Sequence, residues 1–88
     1  MVRYRVLISG RVQGVFFRDT CRRLAAEHGV AGWVRNLPDG RVEAVFEGRP
    51  DDVRHLVDWA HHGPRLAEVE TVAVQPEPPE GLGAFRIR

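Results

Sequence analysis

The segment Gly10-Arg11-Val12-Gln13-Gly14-Val15-Phe16-Phe17-Arg18 brings two glycines and a terminal arginine into one short run. Residues of these types suit the capture of an anion. Glycines allow conformations that turn successive backbone N–H groups inward, and such a nest beside a helix N-terminus is an anion site. Arg18 falls near the first turn of the helix that the spacing predicts next, where a cation opposes the dipole. A bound anion relieves that conflict, and guanidinium offers a planar fork matched to two phosphate oxygens. The same spacing also fits a glycine-bearing connection followed by a solvent-facing arginine, and on spacing alone this plainer reading is favoured. The segment lacks the Gly-Lys-Ser/Thr ending of a Walker A loop. It is not a dinucleotide fingerprint either, because Asp39 closes a hairpin instead of ending a second parallel strand.

The second candidate is Asn36, at the end of Gly32-Trp33-Val34-Arg35-Asn36 and the only asparagine in the chain. An amide before a turn either hydrogen-bonds its own backbone or holds a water through its C=O or NH₂. Other side chains read more plainly. His61 and His62 end a helix with no ligand at a recognised zinc spacing, and His28 is a boundary residue. Cys21, Trp33 and Trp59 are expected in the core, and Glu43 and Glu47 as surface or partial cover.

These residues need elements to position them. Residues 3–9 alternate, with Tyr4, Val6 and Ile8 on one face, which predicts a strand. From Phe17 the apolar steps become helical through Cys21, Leu24, Ala25 and His28, and Gly29 marks the end. Strands follow at about 30–36 and 41–47, joined as an antiparallel hairpin by Pro38-Asp39-Gly40. A second helix opens at Pro50-Asp51-Asp52, buries Val53, Leu56, Val57 and Ala60, and stops at Gly63-Pro64. A fourth strand covers about 67–74, residues 76–81 form a stiff proline loop, and Phe85–Arg88 ends the chain as a short strand. The order β-α-β-β-α-β plus a terminal strand predicts a ferredoxin-like split-βαβ sandwich of the α+β class. Its sheet is mainly antiparallel, with both helices on one face.

The chain has 88 residues, enough for one compact domain across 1–88. All 13 basic residues are arginine, and the formal net charge of +1 gives no bulk electrostatic case for nucleic acid or an anionic membrane. No apolar run approaches the roughly 20 residues of a bilayer span. The first residues enter a strand pattern directly, so no signal or transit peptide is expected. With a single cysteine, this points to the cytoplasm.

Two patterns resemble a known family. Gly10, Val12, Gln13, Gly14, Val15, Phe17 and Arg18 look like the first acylphosphatase signature. Gly32-Trp33-Val34-Arg35-Asn36, followed by Gly40, Val42 and Gly48, looks like the second. Length and element order agree across nearly the whole chain. The resemblance implies a monomeric enzyme that hydrolyses acyl phosphates to a carboxylate and inorganic phosphate, with no metal, no cofactor and no covalent intermediate. It implies that Arg18 and the backbone amides of Val12, Gln13, Gly14, Val15, Phe16, Phe17 and Arg18 bind the phosphoryl group. Asn36 would position the attacking water, and phosphate would be both product and inhibitor. One departure is Leu37, where relatives often carry a small polar residue. Two alternatives accompany this reading: a carbamoyl-phosphate-handling regulatory domain and, with weaker support, an RNA-binding module.

Overall fold

The computed structural model describes residues 1–88. Its elements are β1 (Val2–Arg11), α1 (Phe17–Glu27), β2 (Ala31–Asn36), β3 (Val42–Gly48), α2 (Pro50–Ala60), β4 (Glu68–Glu77) and β5 (Phe85–Ile87). The strands form one sheet in the order β4-β1-β3-β2-β5. Every neighbouring pair is antiparallel except β2 with β5, which is parallel. This is the split-βαβ arrangement that the sequence predicts.

Period-two burial builds the core. Val6 and Ile8 of β1, Val34 of β2, and Val42, Ala44 and Phe46 of β3 meet Phe17, Cys21 and Ala25 of α1 and Val53, Leu56 and Ala60 of α2. Both helices therefore cover the same sheet face. Cys21 is fully buried there, and burial pushes its thiol up out of the reactive range.

Three expectations need correction. β4 runs on through Pro76 and Glu77, which the proline cluster places in a loop. The strand lies at the sheet edge and pairs only with β1, where a proline is tolerated. Trp33 is not a core residue. It stands half-buried on the helix-free face with the guanidiniums of Arg88, Arg35 and Arg5 at 4.4, 5.3 and 5.5 Å from its ring. Trp59, although half-buried, does pack against the core as expected, with its ring 4.9 Å from that of Phe17.

The third correction concerns Glu43 and Glu47, which are buried where surface or partial cover was expected. Their charges are tolerated because each is matched. Glu43 accepts hydrogen bonds from Arg5 at 2.6 Å and Arg35 at 2.7 Å, and Glu77 accepts from Arg5 at 2.6 Å and Arg3 at 3.0 Å. Glu47, with no exposed surface, accepts the backbone N–H groups of Glu80, Gly81 and Leu82. It thereby holds the loop that delivers β5 to the sheet. Burial alone would raise the carboxyls of Glu43 and Glu47, but the hydrogen bonds and the arginine charges outweigh it, so both sit below the ordinary value. Glu77 is lowered chiefly by its bonds to Arg5 and Arg3.

Carboxyls depressed in the folded state contribute stability above their unfolded pKa and lose it as pH falls through the folded one. The melting temperature is expected to hold from neutral pH down to about the ordinary glutamate value of 4.5 and to fall steeply below it. Glu47→Gln lowers it at pH 7 and flattens the acid limb. Thermal unfolding followed by circular dichroism between pH 7 and 2 checks this, and an acid limb unchanged in the variant would rule out Glu47 as a contributor.

Candidate active site

The loop between β1 and α1 departs from regular structure at defined points. Gly10 adopts φ 126° where the β1–β4 register shifts, and a Cβ there would lie 2.2 Å from the Glu68 carbonyl oxygen. The strand can make this bulge only with glycine. Val12, Val15 and Phe17 are buried at alternating points and fasten the loop to the core. Between them the chain turns left-handed twice, at Gly14 (φ 74°) and at Phe16 (φ 66°, ψ 25°), the residue that begins α1. Phe16 is the one non-glycine residue of the chain with positive φ, a conformation that costs on the order of 1 kcal/mol for such a side chain.

The consequence is a run of free donors. No backbone N–H from Val12 to Asp19 meets a protein acceptor, and helical bonding begins only with Thr20 N–H donating to Phe16 C=O at 3.1 Å. Left-handed residues interleaved in such a run turn N–H groups to one side. Arg18 is half-buried in the first turn of α1, and none of the molecule's ion pairs includes it. A cation and unpaired donors at the positive end of a helix dipole make a site complementary to a multiply charged anion.

Asn36, the last residue of β2, faces the same space. The alternative role proposed by its position, a side-chain bond to its own turn, is filled by Asp39 instead. Asp39 accepts the Arg41 N–H at 3.1 Å and the Arg41 side chain at 2.9 Å, and the bond from the Arg41 N–H is the main reason its carboxyl is lowered. The hairpin is closed by Leu37 N–H donating to Arg41 C=O at 2.8 Å. No protein hydrogen bond uses the Asn36 amide, which is free to hold a water.

One cavity of about 380 Å³ gathers Val12, Gly14, Phe16, Phe17, Arg18 and Asn36, with Asp19 and Ile87 completing its wall. Of the residues singled out in the sequence, two stand apart. Val15 turns into the core, 4% exposed, and does not line this cavity. Gln13 turns its side chain toward the hairpin, where Nε2 donates to Leu37 C=O at 2.8 Å and to Arg41 C=O at 3.0 Å. This clamp spans the loop that bears Arg18 and the hairpin that bears Asn36. It uses the backbone of Leu37, so the apolar side chain at that position does not remove it. Sequence reasoning missed both the clamp and Ile87. The only signal for the first was that a large amide is uncommon in this chain.

No group of three or more His, Cys, Asp or Glu side chains has an arrangement that could hold a metal ion. His61 Nδ1 lies 2.9 Å from the Val57 carbonyl oxygen, and His28 stacks on His55 with ring centroids 4.9 Å apart. No helix is long and apolar enough to cross a membrane.

Comparison with known proteins adds a family to this geometry. The Acylphosphatase family model matches residues 4–87. A curated acylphosphatase of Rubrobacter xylanophilus is 63% identical over 98% of the chain and 79% of that relative. The crystal structure of acylphosphatase from Bacillus subtilis superimposes with a TM-score of 0.95 at 36% identity, covering 100% of this chain and 99% of that one. The crystal structure of HypF from T. kodakarensis matches with a TM-score of 0.85 and 33% identity, over 100% of this chain and 12% of that one.

The Gln13 clamp gives a direct test of how loop and hairpin are joined. In Gln13→Glu a carboxylate faces two carbonyl oxygens, and the loss is expected to be about 1–3 kcal/mol in urea unfolding, with Gln13→Ala less affected. Equal stability of the Gln13→Glu variant and the wild-type chain would show that the clamp does not join the two segments.

Proposed function

The chain belongs to the acylphosphatase family and is a hydrolase, and we propose that Arg18, the 12–18 loop and Asn36 are its catalytic apparatus. The substrate is a small acyl phosphate, which water splits to a carboxylate and inorganic phosphate. Arg18 and the amides of Val12, Gln13, Gly14, Val15, Phe16, Phe17 and Arg18 bind the phosphoryl oxygens. Asn36 positions the water through its amide. One observation carries the reading: an uninterrupted run of unpaired N–H groups, an arginine with no carboxylate partner and an amide with no protein partner meet at a single cavity.

The chemistry asks for little more. In an in-line displacement the water oxygen bonds to phosphorus as the bond from phosphorus to the acyl oxygen breaks, and the carboxylate leaves with the electron pair. The water proton passes to a phosphoryl oxygen. A carboxylate is already a good leaving group, so no strong general acid is needed. The transition state spreads charge over the equatorial oxygens, and preorganised N–H donors and a guanidinium fork stabilise it there without reorganising. Neither a metal nor a cofactor has a part in this scheme.

All five strands share one sheet, which supports residues 1–88 as one unit. The lone buried thiol of Cys21 agrees with a cytoplasmic location. An RNA-binding role finds less support. The sheet face that would stack bases has its tryptophan, Trp33, surrounded by arginines and carries the carboxylates of Glu43, Glu47 and Glu77. Carbamoyl phosphate contains the same mixed-anhydride bond, and comparing its turnover with that of benzoyl phosphate separates a dedicated carbamoyl-phosphate role from a general one.

Benzoyl phosphate should be hydrolysed with EDTA present. Arg18→Lys is expected to lose most of that activity, because an ammonium lacks the fork. Asn36→Ala should lower kcat on the order of 10²-fold or more while orthophosphate still inhibits competitively. Loss of phosphate inhibition in Asn36→Ala would overturn the division of roles, and no turnover by the wild-type enzyme would overturn the reading itself.

A further inference from the structure

Strand β5 forms one edge of the sheet and pairs with β2 alone. Gly32 N–H donates to Ala84 C=O at 3.0 Å and Arg88 N–H to Val34 C=O at 2.9 Å. The main-chain groups of Phe85 and Ile87 alternate with these and point to the open edge. Arg86 lies beside Trp33 in the strand register, and the Arg88 guanidinium stands 4.4 Å from the same ring, so both arginines share the helix-free face. Both are exposed, and neither takes part in any of the molecule's ion pairs. A hollow of about 340 Å³ adjoins them, with Trp33, Leu82 and Ala84 in its lining. On the helix side Ile87 is 40% exposed, a large apolar side chain left uncovered at the same edge.

We propose that the open edge of β5 takes an added strand, an extended segment of a partner protein in which acidic and apolar residues alternate. The inference is independent of the hydrolase reading above. When a peptide joins a sheet edge, main-chain hydrogen bonds hold it and its alternate side chains select it. Here the outward N–H and C=O groups of Phe85 and Ile87 supply the main-chain bonds. Acidic side chains on the helix-free side meet Arg86 and Arg88, and apolar ones on the other side cover Ile87. Charges on an edge strand ordinarily ward off a second strand, but charges of one sign ward off only a like-charged one. A second copy of β5 would set arginine against arginine. The opposite edge, β4, carries exposed Glu68 and Glu70 and lacks a donor at Pro76, so it repels the same guest. Nucleic acid would meet the arginines but leave the strand donors and Ile87 unused.

The test titrates the isotope-labelled full chain with the peptide acetyl-Thr-Val-Glu-Val-Glu-Val-Thr-amide and with its lysine counterpart, following amide NMR shifts and hydrogen exchange. The glutamate peptide is expected to bind about 10-fold more tightly than the lysine one, from two favourable cross-strand charge pairs against two unfavourable ones. It shifts the signals of Phe85, Arg86, Ile87 and Arg88 and slows exchange at Phe85 and Ile87, which a purely ionic contact would not do. In the double variant Arg86→Glu, Arg88→Glu the preference reverses toward the lysine peptide, and that gain of binding shows the variant to be folded. Equal affinity for the two peptides, saturable binding of neither, or shifts centred on β4 would overturn the proposal. Concentration-dependent broadening of the β5 signals without peptide would also overturn it, by assigning the edge to a second copy. So would tighter binding of a single-stranded oligonucleotide with exchange at Phe85 and Ile87 unslowed, which assigns the face to nucleic acid.

Discussion

The backbone between β1 and α1 leaves its N–H groups from Val12 to Asp19 without protein acceptors, and the rest of the molecule serves that constraint. Such donors, left without partners, are unfavourable to gather, and a guanidinium in the first turn of a helix opposes the dipole as well. A multiply charged anion resolves both problems at once. The loop is held in this arrangement from outside: by the bulge at Gly10, by the buried side chains of Val12, Val15 and Phe17, and by the clamp from Gln13. The proposed site is thus preformed, with little reorganisation left for the moment of reaction.

The helix-free face shows how a small chain supports such a site. Its arginines and glutamates are not scattered surface charges but a matched set across β1, β2, β3 and β4, with Glu43 and Glu47 buried among guanidiniums and backbone donors. Glu47 also binds the loop before β5, and β5 in turn pairs with β2 and brings Ile87 to the cavity wall. A carboxylate on one face of the sheet is therefore linked, through a loop and a strand, to the shape of the site. The coupling is structural and acts through the placement of β5.

Element order, helix faces and the hairpin were legible in the sequence because each rests on local chemistry: alternation in β1, helical apolar steps in α1, Pro38-Asp39-Gly40 in the turn. What was not legible depends on partners distant in the chain. Glu43 and Glu47 read as surface residues because a carboxylate alone is exposed, and only the register of β1 with β3 brings Arg3 and Arg5 alongside. Trp33 read as core because size and apolarity favour burial, yet strand alternation turns it to the face without helices. Pro76 read as a loop residue because the sequence does not say which strand is an edge. For the site, the residue types of Arg18 and Asn36 were visible, and their convergence was not. The β1–β3–β2 order sets the end of β2 beside the loop, and the Gln13 clamp fixes that approach.

Amide NMR during titration with orthophosphate reports on these donors one by one. Saturable shifts are expected in the backbone N–H signals of 12–19 and the Arg18 side chain, with those of Trp33 and the helix-free face unmoved. Saturable shifts centred on Arg86, Arg88 and Trp33, or no saturable shifts in a folded sample, would contradict an anion site in the loop between β1 and α1.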